Sequence, residues 1–111
     1  MNNSLKLDKA QIEKLKEKYN NYRLYRLTNE DTGDDMVIRG SNWSEFEEIT
    51  KLPAERIPFE LIKTLVVYPE VNALDLETNK SGKWEPGRIV AVSEQIQRVL
   101  GYTKMYKVKN I

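Results

Sequence analysis

The chain has 111 residues, enough for one globular domain with a single hydrophobic core. It contains no cysteine and no histidine, which excludes disulfides, thiolate nucleophiles, Ser-His-Asp catalysis and cysteine-ligated zinc. A net charge of +1, with 32% charged and 40% hydrophobic residues, is typical of a folded hydrophilic protein rather than a disordered one.

Charge is distributed unevenly along the chain. Residues 1–26 carry seven basic and three acidic side chains, residues 27–60 carry three and nine, and residues 61–111 carry eight and five. The N-terminal stretch lacks the apolar segment of a signal peptide, and apolar runs such as TLVVY are too short to span a bilayer. We therefore expect a cytoplasmic protein without membrane association, with separate positive and negative surfaces.

The first predicted helix follows Asp8. Asp8 and Gln11 have the spacing of a capping box, and Leu7 can pack on Ile12 as a hydrophobic staple. The segments YRLYRL and MVIRG then read as two strands of a hairpin. The loop between them, NEDTGDD, has the composition of a turn, with Gly33 supplying the positive φ.

A second helix is predicted over SNWSEFEEITKLP. Ser44 and Glu47 suggest a capping box, and Trp43, Phe46 and Ile49 are expected to face the core. The segment IPFELIKTL predicts a third, short helix with a proline in its first turn.

The C-terminal half is predicted to contain more strands. VVYPEVNALDLE reads as extended, RIVAV as a buried strand, SEQIQRVLG as a helix capped by Ser93, and YTKMYKVKNI as a terminal strand. The order predicts an α+β fold in a single domain over residues 1–111. We expect a mixed or antiparallel sheet of about four to five strands, with about two to four helices mainly on one face.

Two acidic stretches raise the question of metal binding. Asp31, Asp34 and Asp35 offer oxygen ligands for Ca²⁺ or Mg²⁺, but their spacing does not match an EF-hand. Asp75 and Glu77 would share a strand face as in metal-dependent nucleases, whereas the lysine that should complete the motif would point to the opposite face. We expect no metal, no cofactor and no catalytic residue, and a hydrolase using Asp75 and Glu77 is the least favoured alternative.

Two predicted strands combine tyrosine with basic residues. Exposed tyrosines can stack on bases while lysines and arginines contact phosphates, although tyrosine also favours strands and lysine protects sheet edges. This pattern supports the alternative function of binding single-stranded RNA or DNA. The residues concerned are Arg23, Tyr25, Arg26, Tyr102, Lys104, Tyr106, Lys107 and Lys109.

The acidic middle of the chain supports the leading hypothesis. A negative surface can attract a basic partner, although a solvated helix face has the same composition. Trp84 lies in a polar stretch and is expected to be exposed, whereas Trp43 is expected to be buried. We interpret the chain as a non-enzymatic regulatory or inhibitory module that binds another protein. The predicted binding residues are Asp31, Asp34, Asp35, Glu45, Glu47, Glu48 and Trp84.

Overall fold

The computed structural model describes residues 7–101. Within this range the fold is α+β, with a three-stranded antiparallel sheet and five α-helices. The elements are α1 (Lys9–Lys18), β1 (Leu24–Thr28), β2 (Asp35–Arg39), α2 (Trp43–Thr50), a 3₁₀ helix (Ala54–Arg56), α3 (Ile57–Leu65), β3 (Val66–Tyr68), α4 (Ala73–Thr78) and α5 (Pro86–Leu100). The predicted fold class is confirmed, with fewer strands in the described range than we expected.

The difference in strand number comes from the C-terminal half. The predicted extended segment contains only the short β3 before it turns into α4, and RIVAV and SEQIQRVLG form one continuous helix, α5. Pro86 occupies the first turn of α5, where its missing N–H costs nothing. Ser93 is therefore a buried residue in the middle of this helix and not an N-cap. The predicted terminal strand lies outside the described residues.

The hairpin of β1 and β2 was predicted correctly. The two strands pair in a register that runs from Leu24 opposite Arg39 to Thr28 opposite Asp35, and Gly33 in the connecting loop has a φ of 78°. β2 is the central strand, since β3 pairs along its other edge. All five residues of β2 are buried.

Because alternate residues of a strand point to opposite faces, β2 contributes to two layers. Met36 and Ile38 belong to the main hydrophobic core with residues of α3 and α5. The other face carries Asp35, Val37 and Arg39, of which only Val37 in the middle is apolar. The most deeply buried core residues are Ile38, Leu61, Ile62, Leu65 and Ile96, each with 0% exposure.

The N-terminal segment and α1 lie beside this second face. The capping box of Asp8 and Gln11 forms as predicted, and Leu7 immediately before it is buried. Leu7, α1 and the sheet residues Leu24 and Val37 line a small cavity of about 120 Å³. Within residues 7–101, no helix combines the length and the apolar character needed to cross a membrane.

Candidate functional site

The two tryptophans occupy environments opposite to those predicted. Trp43 is 69% exposed, and Trp84 is 6% exposed and belongs to the core. Trp84 is held by its backbone N–H, which donates to the Asn79 side chain at 2.8 Å, and the Arg88 guanidinium lies over its ring. Both predictions are therefore wrong, and Trp84 is a core residue instead of an exposed binding residue.

The start of α2 explains the exposure of Trp43. Asn42, and not Ser44, is the N-cap, and its side-chain oxygen accepts a hydrogen bond from the Glu45 amide at 2.9 Å. Trp43 is consequently the first helical residue, while Ile49 is the residue of α2 that becomes buried. An asparagine directly before an aromatic helix start was the sequence signal that could have identified this arrangement.

Trp43 forms an exposed aromatic pair with Phe46 on α2. Their ring centroids are 5.2 Å apart, with an interplanar angle of 32°, and Phe46 is half-buried. Glu47 is exposed and lies one helical turn from Trp43, on the same side of the helix. We call the surface formed by Trp43, Phe46 and Glu47 the Trp43 patch. It combines an exposed aromatic area with an exposed carboxylate one helical turn away.

The three glutamates of α2 have different roles. Glu45 accepts two hydrogen bonds from the Arg39 guanidinium, at 3.0 and 2.6 Å, and this arginine lowers the pKa of Glu45. Glu47 and Glu48 are exposed, and no basic side chain of the described part of the chain forms an ion pair with either. Glu45 therefore holds α2 to the sheet, whereas Glu47 and Glu48 remain available to a partner.

The acidic loop also divides into structural and exposed residues. The Asp35 carboxylate is buried and accepts hydrogen bonds from the Leu7 amide at 2.9 Å, the Arg26 guanidinium at 2.6 Å and the Thr28 hydroxyl at 2.7 Å. The hydrogen bond from Arg26 is the main reason why the pKa of Asp35 lies far below its usual value, and the bonds from Leu7 and Thr28 add to it. Asp35 thus lies inside the fold and not on the acidic surface.

Asp31 and Asp34 lie at the tip of the hairpin. The side chain of Asn29 accepts hydrogen bonds from the amides of Asp31 and Thr32, at 2.8 and 3.0 Å, a local pattern that defines an asparagine-initiated turn. Asp31 is exposed and Asp34 is half-buried. The interpretation of this stretch as a turn is therefore supported by its hydrogen bonds.

The basic, aromatic stretch formed by Arg23 and the first residues of β1 is partly used within the fold. Arg26 forms the ion pair with Asp35, and Tyr25 packs against the core. The Arg23 guanidinium lies 5.8 Å from the centroid of the Tyr25 ring and remains exposed. The remaining nucleic-acid candidates lie outside the described residues; they are Tyr102, Lys104, Tyr106, Lys107 and Lys109.

Asp75 and Glu77 lie on α4 and not on a strand. The amide and hydroxyl of Ser81 donate to Asp75 at 2.8 and 2.7 Å, and Arg56 pairs with Glu77. These hydrogen bonds lower the pKa of each carboxyl. Across residues 7–101, no group of three or more potential ligand side chains is arranged to hold a metal ion.

A cleft of about 520 Å³ lies between the hairpin and α5. Its lining mixes Arg26 and Arg88 with Glu30, Asp34 and the amide of Gln95. Arg26 is already paired with Asp35, and Arg88 stacks on Trp84. The lining that the described residues provide therefore mixes charges of both signs, and one of its arginines is already neutralised by Asp35.

Neither a scan against protein-family models nor searches of curated proteins and solved structures found a match to this chain. What indicates a function is consequently the surface chemistry of the described residues. Among them, the Trp43 patch combines a large exposed aromatic side chain with a carboxylate that is not used within the fold.

Proposed function

We propose that this chain is a small, non-enzymatic regulatory or inhibitory module that binds another protein through the exposed side of α2. The observation that carries the proposal is the 69% exposure of Trp43, a side chain that folding normally buries at least in part. Tryptophan is enriched among the few residues that dominate binding energy at protein interfaces. An exposed tryptophan paired with Phe46 thus has the character of an interface anchor.

The charges of α2 support the same surface. Glu47 is exposed one helical turn from Trp43, and Glu48 is exposed elsewhere on the same helix. Exposed charges around an apolar centre steer association and exclude unsuitable partners. Catalysis receives no comparable support, because the chain lacks histidine and cysteine. In addition, Asp75 and Glu77 are engaged by Ser81 and Arg56.

The alternative function is binding of single-stranded RNA or DNA. The exposed Arg23 over the Tyr25 ring is the feature of the described residues that favours it. Two observations weaken this alternative. Arg26 is neutralised by Asp35, and Tyr25 packs against the core. Binding of labelled oligonucleotides that decreases steeply with salt, and that an Arg23→Ala substitution weakens, would support this alternative instead.

Affinity capture with matched variants tests the protein-binding proposal. The bait is the full chain, in wild-type form or with Trp43→Ala or Leu74→Ala, and the lysate of the source cells is used with and without nuclease. Leu74 is the matched control, because it is 71% exposed and lies on a different helix, α4. We expect a protein retained by the wild type and by Leu74→Ala, lost with Trp43→Ala, and unaffected by nuclease. Equal capture by all three baits, or loss after nuclease treatment, would contradict the proposal.

A further inference from the structure

Most aromatic rings in the described part of the chain have a cation of the same chain over one face. The distances from the cationic centre to the ring centroid lie between 4.3 and 5.8 Å. This separation is the range in which a cation is attracted to the ring quadrupole. The five pairs are Lys18 with Tyr19, Arg23 with Tyr25, Arg39 with Tyr22, Arg56 with Phe59, and Arg88 with Trp84.

Trp43 differs from these rings. It is the most exposed aromatic side chain among residues 7–101, and no Lys or Arg in that range lies over its ring. Its described ring contact is with Phe46. Tryptophan is also the aromatic side chain that attracts cations most strongly. The Trp43 ring is therefore the best suited to hold a cation, yet no cationic side chain of the described residues lies over it.

We infer that the Trp43 patch binds a lysine or arginine side chain on the surface of a partner protein. This inference rests on the proposed function and specifies the chemistry of the partner. The cationic group lies over the Trp43 ring and is paired with the Glu47 carboxylate one turn along α2, while its methylene stem packs on Trp43 and Phe46. Glu48 adds a second exposed negative charge on the same helix.

The charge balance of α2 selects this occupant over others. Arg39 neutralises Glu45, so the charge of α2 nearest to the aromatic pair is the exposed Glu47 carboxylate, which forms no ion pair with a described residue. An acidic peptide or a phosphate backbone would meet like charges there, which costs affinity. A purely apolar partner would bury Glu47 without a counter-charge, and such desolvation is unfavourable. A basic segment with aliphatic stems satisfies both the ring and the carboxylate.

Synthetic peptides of equal length test this inference directly. Three labelled peptides are titrated with the protein and followed by fluorescence anisotropy. The first contains lysine, leucine and serine, the second leucine and serine alone, and the third glutamate, leucine and serine. We expect the lysine peptide to bind the wild type at least about tenfold more tightly than the other two. Trp43→Ala should weaken that binding by about tenfold or more, as expected for an interface anchor. Glu47→Lys should also weaken it, and Leu74→Ala should leave it unchanged.

Several results would overturn the inference. Equal binding of the lysine-containing and lysine-free peptides would mean that the patch is merely apolar, and lysine-peptide binding insensitive to Trp43→Ala would place the site elsewhere. Absence of lysine-peptide binding would remove the cationic partner as well. Dimerisation in sedimentation experiments that Trp43→Ala abolishes would identify a second copy of the chain as the occupant. If capture of a protein still depends on Trp43 while the lysine peptide fails to bind, the proposed function stands and this inference alone fails.

Discussion

Replacing Asp35 with alanine should destabilise the fold without touching the proposed binding surface. Asp35 is 3% exposed, and its carboxylate joins β2 to the N-terminal segment through Leu7 and to two positions of β1 through Arg26 and Thr28. Truncation to alanine removes the acceptor of all three hydrogen bonds. The consequence differs among the donors because their access to water differs.

The size of the destabilisation by Asp35→Ala depends mainly on the Leu7 amide. Arg26 and Thr28 are exposed residues and can exchange the carboxylate for water, whereas Leu7 is 8% exposed and its N–H would remain without an acceptor. A hydrogen bond to a charged group contributes about 1.5–3 kcal/mol, and an unsatisfied buried donor costs a similar amount. We therefore expect the free energy of unfolding to fall by about 1.5–3 kcal/mol, a large part of the total stability of a domain this size.

Urea unfolding followed by circular dichroism measures this change. Asp31→Ala is the matched control, since it removes an exposed carboxylate from the same loop, and we expect a change within about 0.5 kcal/mol. Asp35→Asn should cost less than Asp35→Ala, because an amide oxygen can still accept from the Leu7 N–H. The reasoning would be refuted if Asp35→Ala and Asp31→Ala had the same midpoint.

The Asp35 carboxylate should also make the stability of the fold depend on pH. Because the pKa of Asp35 is lower in the folded state than in the unfolded state, its ionised form stabilises the fold. This contribution should be complete above the unfolded pKa of about 3.9 and should be lost progressively as the pH falls toward the folded value. The stability difference between wild type and Asp35→Asn, measured by urea unfolding from neutral to acidic pH, should therefore shrink in acid. A difference that stays constant, or that increases in acid, would contradict the assignment.

Three further predictions concern α2 and the tryptophans. Trp84→Ala should lower the free energy of unfolding by about 3–5 kcal/mol, as expected for a buried aromatic residue. Trp43→Ala should change the free energy of unfolding little. Similar losses for the two variants would contradict the burial assignment. Glu45→Ala should destabilise the protein by about 1–3 kcal/mol, because it removes the carboxylate that pairs with the buried Arg39 guanidinium. Glu48→Ala should not, and equal urea midpoints for these variants would refute the distinction. Converting Glu47 and Glu48 to glutamine should remove the negative field at the exposed Trp43 ring. Quenching of tryptophan fluorescence by iodide should therefore increase, and quenching by caesium should decrease. Unchanged quenching constants would argue against that field.

Local signals predicted the N-terminal half of the fold well. The capping box of Asp8 and Gln11, the positive φ at Gly33 and the hairpin strands all follow from interactions between residues close in sequence. Such interactions can be recognised from residue type and spacing alone. The α+β class was predictable for the same reason, since it requires only the identity of the elements.

The error at α5 arose where local signals were ambiguous. A short apolar run such as RIVAV fits both a buried strand and one side of a buried helix, and periodicity over five residues cannot separate them. Pro86 was the better signal, because proline is favoured in the first turn of a helix. Read from Pro86, the buried positions Ile89, Ser93 and Ile96 are spaced by three or four residues, which is the period of a helix.

The site depends on ion pairs between side chains of different helices and strands, and these determine which charges remain at the surface. The central stretch is strongly acidic in sequence, yet at least three of its carboxylates pair within the fold. Asp35 pairs with Arg26, Glu45 with Arg39, and Glu60 with Lys63. Charge segregation along a chain is therefore not the same as charge segregation on its surface. What distinguishes α2 is that Glu47 is exposed, forms no ion pair with a described residue, and lies one helical turn from the exposed ring of Trp43. The proposed binding surface therefore consists of side chains that the internal ion pairs and cation–π contacts of the described residues do not engage.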